Sequence, residues 1–237
     1  MKKKIIFILV GVIALAALIV IFWTVRNKSK EQGGTPSTPS PSTLPTRAEK
    51  SEQNIQTVQK DIKSILAAAP SQTAVKEGVD SVDFKSADNS VVPLSDFEKA
   101  TKVKIIPDLR RYLGGKDYAM YYCPIGGSKK EYAVYFGYNV EKAYANLNPD
   151  TFTWMKNWEK NMLQDLHPVL FPGADFNQGD LNQNLQFRDG KFRYAEIKLP
   201  DGGASSINYY VSLNGVIITT SVSCMEKLIN IYEPLQP

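Results

Sequence analysis

Apolar residues fall into three regimes along this chain. From Ile5 to Val25 they form an uncharged run, with Gly11 as its weak helix former and Trp23 near its end. At 1.5 Å per residue such a run reaches roughly 30 Å, the thickness of a bilayer's hydrocarbon core. Across residues 31–47 apolar positions almost vanish, and Pro36, Pro39, Pro41 and Pro45 punctuate a Ser/Thr-rich stretch. After it the apolar positions return in helical and strand periods, which predict an α+β domain over residues 48–237.

The first regime reads as a retained membrane anchor, residues 1–30 with basic flanks. A cleaved signal has a shorter apolar core ending in small residues. Here the A-x-A triplet, Ala14-Leu15-Ala16, lies in mid-run. Lys2, Lys3 and Lys4 precede the run and Arg26, Lys28 and Lys30 follow it, so basic residues scarcely choose an orientation. The short N-terminal tail before a long C-terminal region is the layout of a signal-anchor. It predicts a single-pass protein of the cell membrane, inserted through residues 5–25, with its C-terminal domain extracytoplasmic. Residues 31–47 read as a disordered linker, since prolines block both helix and sheet.

Within the domain, Thr46-Arg47-Ala48-Glu49 suits a capping box, and Ile55, Val58, Ile62, Ile65 and Leu66 then recur at helical spacing up to Pro70. A short strand is expected within Val79–Phe84. Ser95-Asp96-Phe97-Glu98 suits a second capping box, and Pro107 the first turn of a helix ended by Gly114-Gly115. Strands Asp117–Cys123 and Glu131–Tyr138 flank a hairpin loop, Pro124–Lys130. A helix over Val140–Leu147 precedes a longer one that carries Phe152, Met155, Trp158, Met162, Leu163 and Leu166 on one face and ends at Pro168. Strands Asn184–Arg188 and Lys191–Leu199 flank Asp189-Gly190, and Ile207–Leu213 and Val216–Ser221 flank Asn214-Gly215. Both dipeptides suit type I′ turns. Ser223-Cys224-Met225-Glu226 suits a third capping box, opening a last helix to about Tyr232. This order predicts a largely antiparallel sheet with helices packed on it.

The net charge of +4 first suggests an anionic partner. The six basic residues flanking the anchor supply +6, which leaves about −2 for the rest. Nucleic acid is therefore not expected as a partner. Cys123 and Cys224 are the two cysteines. An exported domain with one pair suits a disulfide, and two separately buried thiols suit the same count.

Candidate chemistry is sparse. His167, the one histidine, precedes Pro168 at a helix end, where an imidazole bonds free carbonyls. Cys224, in a helix's first turn, suits a lowered thiol pKa, but nothing beside it or His167 matches a protease signature. Asp175–Asn184 is rich in oxygen ligands, yet Asp180 stands where a calcium loop needs glycine and Gln186 where it needs glutamate. Gly126-Gly127-Ser128-Lys129-Lys130 lacks phosphate-loop spacing. Glu159 and Asp165, six apart, point in different directions. No catalytic residue, metal ligand or cofactor is assigned. Trp154 and Trp158, with Tyr121, Tyr135 and Tyr209, are candidates for a sugar- or peptide-binding surface; core and cross-strand pairs are the competing role.

The segment Trp158-Glu159-Lys160-x-Met162-x-x-Asp165-Leu166, followed by Pro168 and Phe171, resembles one in uncharacterised bacterial proteins with a single N-terminal anchor. Val216–Ser221 leading into Met225, and the Pro93–Phe97 helix, share that resemblance, which spans about Val91 to Tyr232. It implies no activity. Anchor, stalk and domain together predict a tethered module binding a cell-envelope protein or polymer. The alternatives are an envelope hydrolase with a site built from distant residues, and a self-associating assembly subunit.

Overall fold

Thr46 and Glu49 cap the first helix, α1 (Arg47–Ala67), reciprocally. The Glu49 carboxylate accepts from Thr46 N at 2.7 Å, and Thr46 Oγ1 accepts from Glu49 N at 3.3 Å. The computed structural model describes residues 45–67, 79–124, 130–139 and 147–233. The 5–25 run, the linker up to residue 44, the 125–129 loop and the expected 140–147 helix up to residue 146 lie outside the described residues. Among those described, no helix is long and apolar enough to cross a membrane.

Six strands form one antiparallel sheet: β1 (Asp80–Val82), β2 (Leu113–Pro124), β3 (Lys130–Tyr138), β4 (Arg193–Lys198), β5 (Ala204–Val211) and β6 (Gly215–Thr219). Their spatial order is β1-β2-β3-β6-β5-β4, so two hairpins meet where β3 pairs β6. The helices are α2 (Leu94–Thr101), α3 (Pro107–Arg110), α4 (Leu147–Trp158), α5 (Met162–Leu170), α6 (Gln178–Leu181) and α7 (Val222–Tyr232). The fold is α+β.

Period-two alternation sorts the strand residues onto two faces. Met120, Val134, Phe136, Ile207, Tyr209, Val216 and Ile218 join the main core with α1, α2, α4 and α5. Ala133 and Ile217 point the other way, onto Cys224, Met225, Leu228 and Ile229 of α7. β6 is buried throughout because both of its faces are covered. The sheet is thus the middle of three layers. Asp96 fastens α2 to α1 by accepting from Ser51 Oγ at 2.8 Å and Asn54 Nδ2 at 3.0 Å.

Several local expectations are corrected. The expected long helix breaks at Glu159–Asn161, and Pro168 lies inside α5 rather than ending it. Proline lacks the N–H that would bond the Gln164 carbonyl. His167 Nδ1 stands 2.9 Å from that oxygen and takes the vacant place. Gly114 and Gly115 belong to β2, in a register break between the pairs Leu113–Tyr138 and Tyr118–Phe136. Asp96 serves α1, and α2 has no side-chain cap. The cap of α7 is Ser221, whose hydroxyl accepts from Cys224 N, and not Ser223. Residues 184–187 form no strand; only Arg188 bridges, to Tyr194.

The turn chemistry differs as well. Positive φ among the described residues is confined to Asn89, Lys102, Gly173 and Gly202. Neither dipeptide therefore makes a type I′ turn. In the β5–β6 connection Ser212 replaces the backbone geometry: its hydroxyl donates to Gly215 O at 2.9 Å and accepts from Gly215 N at 3.0 Å.

Candidate functional site

The sheet face under α7 is covered by one helix of 11 residues, and tyrosines occupy the margin that the helix leaves. Tyr135 of β3 stacks on Tyr232, the last residue of α7, with ring centroids 3.8 Å apart. Tyr121 of β2 meets Tyr232 edge-on, and the two hydroxyls share a hydrogen bond. Tyr135 Oη donates to Asn214 O at 2.9 Å. Beside them an open cleft of about 460 Å³ is bordered by Lys116, Asp117, Tyr135, Leu213, Asn214 and Tyr232. Leu213 is 78 % exposed, and Ile231 on the same end of α7 is 54 % exposed. Glu233 accepts from Leu213 N at 3.3 Å and from Tyr210 Oη at 2.7 Å, which holds the helix end against the β5–β6 turn.

Burial, followed by the charges of Tyr121 and Asp117, pushes the Tyr135 phenol up to about 12. Burial and the bond to Tyr121 lift Tyr232 well above the ordinary tyrosine range. All these hydroxyls stay neutral through physiological pH. They offer hydrogen bonds and apolar area, the mixture found at protein-binding surfaces.

The five candidate aromatics do not form one surface. Tyr121 and Tyr135 belong to this cleft. Trp154 lies in the opposite layer, stacked on Tyr112 at 5.0 Å. Trp158 and Tyr209 are each 1 % exposed and lie in the main core. Trp158 Nε1 donates to Asp165 Oδ2 at 2.8 Å, and Tyr209 Oη to Glu159 Oε1 at 2.7 Å. Their amphipathic rings put an apolar body in the core and a polar tip on a carboxylate, and spacing along one helix does not reveal this. Glu159 is further clamped by Arg193 through two bonds of 2.6 and 3.1 Å. Glu159 and Asp165 are therefore consumed as structural acceptors.

Cys123 and Cys224 are joined as a disulfide, Cα atoms 5.7 Å apart, tying β2 to the first turn of α7. Cys224 thus has no thiol for chemistry with His167. In the Asp175–Asn184 loop, Asn177 and Asp180 spend their oxygens on a capping box for α6. Among the described residues no group of three or more His, Cys, Asp or Glu could hold a metal ion.

At the other end of β3 and β6 lies a second open cavity, of about 550 Å³. Its wall is apolar, with Tyr132, Leu170, Phe171, Pro172, Leu199 and Val222. Its rim carries Glu131, Asp201, Ser205, Ser206, Thr220 and Ser221. Ser221 Oγ hydrogen-bonds Glu131, and its lone pair accepts from Cys224 N at 3.0 Å. Burial raises the Glu131 pKa, against the Ser221 bond and the Lys227 charge. The N-terminus of α7 favours that carboxylate when ionised. No local motif marks these rim residues or Tyr232, because they come from several strands, connections and helix ends far apart in the sequence.

A comparison with protein-family models, curated proteins and solved structures returned no match.

Proposed function

We propose that this chain is a membrane-tethered, extracytoplasmic binding module that holds a protein or polymer of the cell envelope. The anchor is the 5–25 run, and the stalk is the proline-rich stretch of residues 31–47. The observation that carries the binding reading is the tyrosine end of the domain. Exposed Leu213 of the β5–β6 turn borders the Tyr135–Tyr232 cleft, and exposed Ile231 precedes Tyr232 on the helix end fixed by Glu233. Exposed apolar side chains bordering a rigid aromatic cleft suit a partner's surface. The buried Cys123–Cys224 bond supports placement outside the cytoplasm, where disulfides persist.

In-cell crosslinking of the full-length protein, read by mass spectrometry, tests this. The expected result is recurrent capture of the same envelope components by the parent chain and their loss from a Leu213→Asp, Ile231→Asp variant. Capture that is indifferent to both substitutions defeats the reading. A protease accessibility assay on intact cells tests the orientation: a domain protected from external protease reverses it.

A further inference from the structure

The cavity at the Glu131 end is built from five places in the chain: the start of β3, the end of α5, the β4–β5 connection, the start of β5, and the junction of β6 with α7. Its volume of about 550 Å³ falls within the range of small-ligand sites. It shares no residue with the tyrosine cleft.

Its oxygens are unequally occupied. Glu131 Oε2 takes the Ser221 hydroxyl. Asp201 Oδ1 takes Gly203 N at 2.8 Å. The second oxygen of each carboxylate has no bond to another described residue. Ser205 and Ser206 both donate to one carbonyl, Thr220 O, at 3.4 and 3.1 Å. The Ser205 bond is at the limit of useful length, so that hydroxyl turns to a ligand at little cost. The rim therefore presents surplus acceptors and at least one redirectable hydroxyl.

Among the described residues the lining includes two carboxylates and no lysine, arginine or histidine, and Lys227, whose charge reaches Glu131, stands outside it. An anionic ligand would bring like charge to a half-buried Glu131, which costs free energy. A purely apolar ligand would leave the carboxylates desolvated and unpaired. A ligand rich in O–H donors, with a ring face for the Phe171 and Leu170 wall, satisfies both halves of the cavity. We infer that this cavity binds a neutral saccharide unit, with Glu131 and Asp201 accepting from its hydroxyls.

Saturation-transfer NMR and calorimetric titration of the full-length chain, in a detergent without sugar headgroups, test this. The probes are cellotriose, maltotriose and chitotriose, with trigalacturonate as the anionic comparator. At least one neutral trimer is expected to bind, and trigalacturonate to bind at least about tenfold more weakly. Glu131→Gln keeps an acceptor for Ser221 and is expected to weaken the neutral trimer about tenfold or more. Ser205→Ala, which removes the redirectable hydroxyl and lies away from the α7 cap, is the second variant, expected to weaken binding several-fold with the melting curve unchanged. Silence from all three neutral trimers, equal binding of trigalacturonate, or unchanged affinity in both variants overturns the inference. Because the tyrosine cleft is untouched by these variants, partner capture that survives them while saccharide binding fails separates this site from the proposed partner surface.

Discussion

Tyr135 and Tyr232 stack with their planes 21° from parallel, and the Tyr135 ring also lies against the cross-strand pair Gly137–Gly215. The glycines are what let the ring sit down on the sheet. A Cβ on Gly215 would collide with the Phe136 carbonyl and come within 2.6 Å of Tyr135 Cε2. Gly215→Ala must therefore move either a backbone carbonyl or the ring that seats α7. We expect a loss of about 1–3 kcal/mol in chemical denaturation, with a weakened near-ultraviolet tyrosine dichroism. Gly115 has nothing within 4 Å of its would-be Cβ, so Gly115→Ala serves as the comparison. Equal midpoints for the two variants would contradict this account of the stack.

The Cys123–Cys224 bond closes a span of 101 residues and holds α7, which covers this face of the sheet. Both cysteines are buried, at 2 % and 0 % exposure, so a reductant reaches them only when the domain opens. The Cys123→Ala, Cys224→Ala double variant is expected to lose roughly 2–5 kcal/mol, most of it from relaxing the constraint on the unfolded chain. The check is the urea midpoint of the parent, with and without dithiothreitol, against that of the variant. A parent whose midpoint ignores dithiothreitol at full reduction would remove the disulfide's stabilising role.

Part of what the chain announces locally, it delivers. The capping box at Thr46 and Glu49 and the heavy β-branching of Val216–Thr219 depend on neighbours a few residues away, and both give the expected element. Some departures come from partners far along the chain, others from a competing hydroxyl close by. Glu159 breaks the expected long helix where it is held by Arg193 and Tyr209, 34 and 50 residues on. Asn214-Gly215 has the composition of a tight turn, but the Ser212 hydroxyl supplies a competing set of bonds. Ser221 outranks Ser223 as a cap because it sits where β6 ends and also meets Glu131. The aromatic candidates are dispersed over two layers because distant elements place them. Alternation shows that Tyr135 and Tyr209 each leave a strand, not that α7 covers one face thinly while α1 to α5 bury the other.

Glu159, Arg193 and Tyr209 form one unit and should fail as one. The Arg193 and Glu159 side chains are only 12 % and 17 % exposed, and the pair is bidentate. Removing one member leaves the other charge poorly solvated. Arg193→Met is expected to cost about 3–5 kcal/mol, and Tyr209→Phe about 1 kcal/mol. The informative quantity is the coupling: Glu159→Gln combined with Arg193→Met should cost less than the two singly, by about 1 kcal/mol or more. Additive losses in the cycle would mean that the three side chains act separately.

Alkaline titration tests the tyrosine margin directly. The folded phenols of Tyr135, Tyr138 and Tyr210 are raised from 10.0 to about 12, and those of Tyr121 and Tyr132 also lie above the ordinary value. A raised folded-state pKa means that the fold prefers the neutral phenol. That contribution to stability is fully present below pH 10 and is lost as pH rises through the folded values, toward about 12. Tyrosinate absorbance of these phenols should therefore rise only above pH 10, in a stage that coincides with the loss of far-ultraviolet dichroism. Tyr210 separates the causes. Its bond to Glu233 outweighs burial in raising it, whereas burial leads for Tyr135. Glu233→Gln should return one phenol toward 10 and leave the Tyr135 stage in place. If every phenol of the parent ionises near 10 with its helices intact, the tyrosines are solvated and the margin around α7 is not the packed surface described.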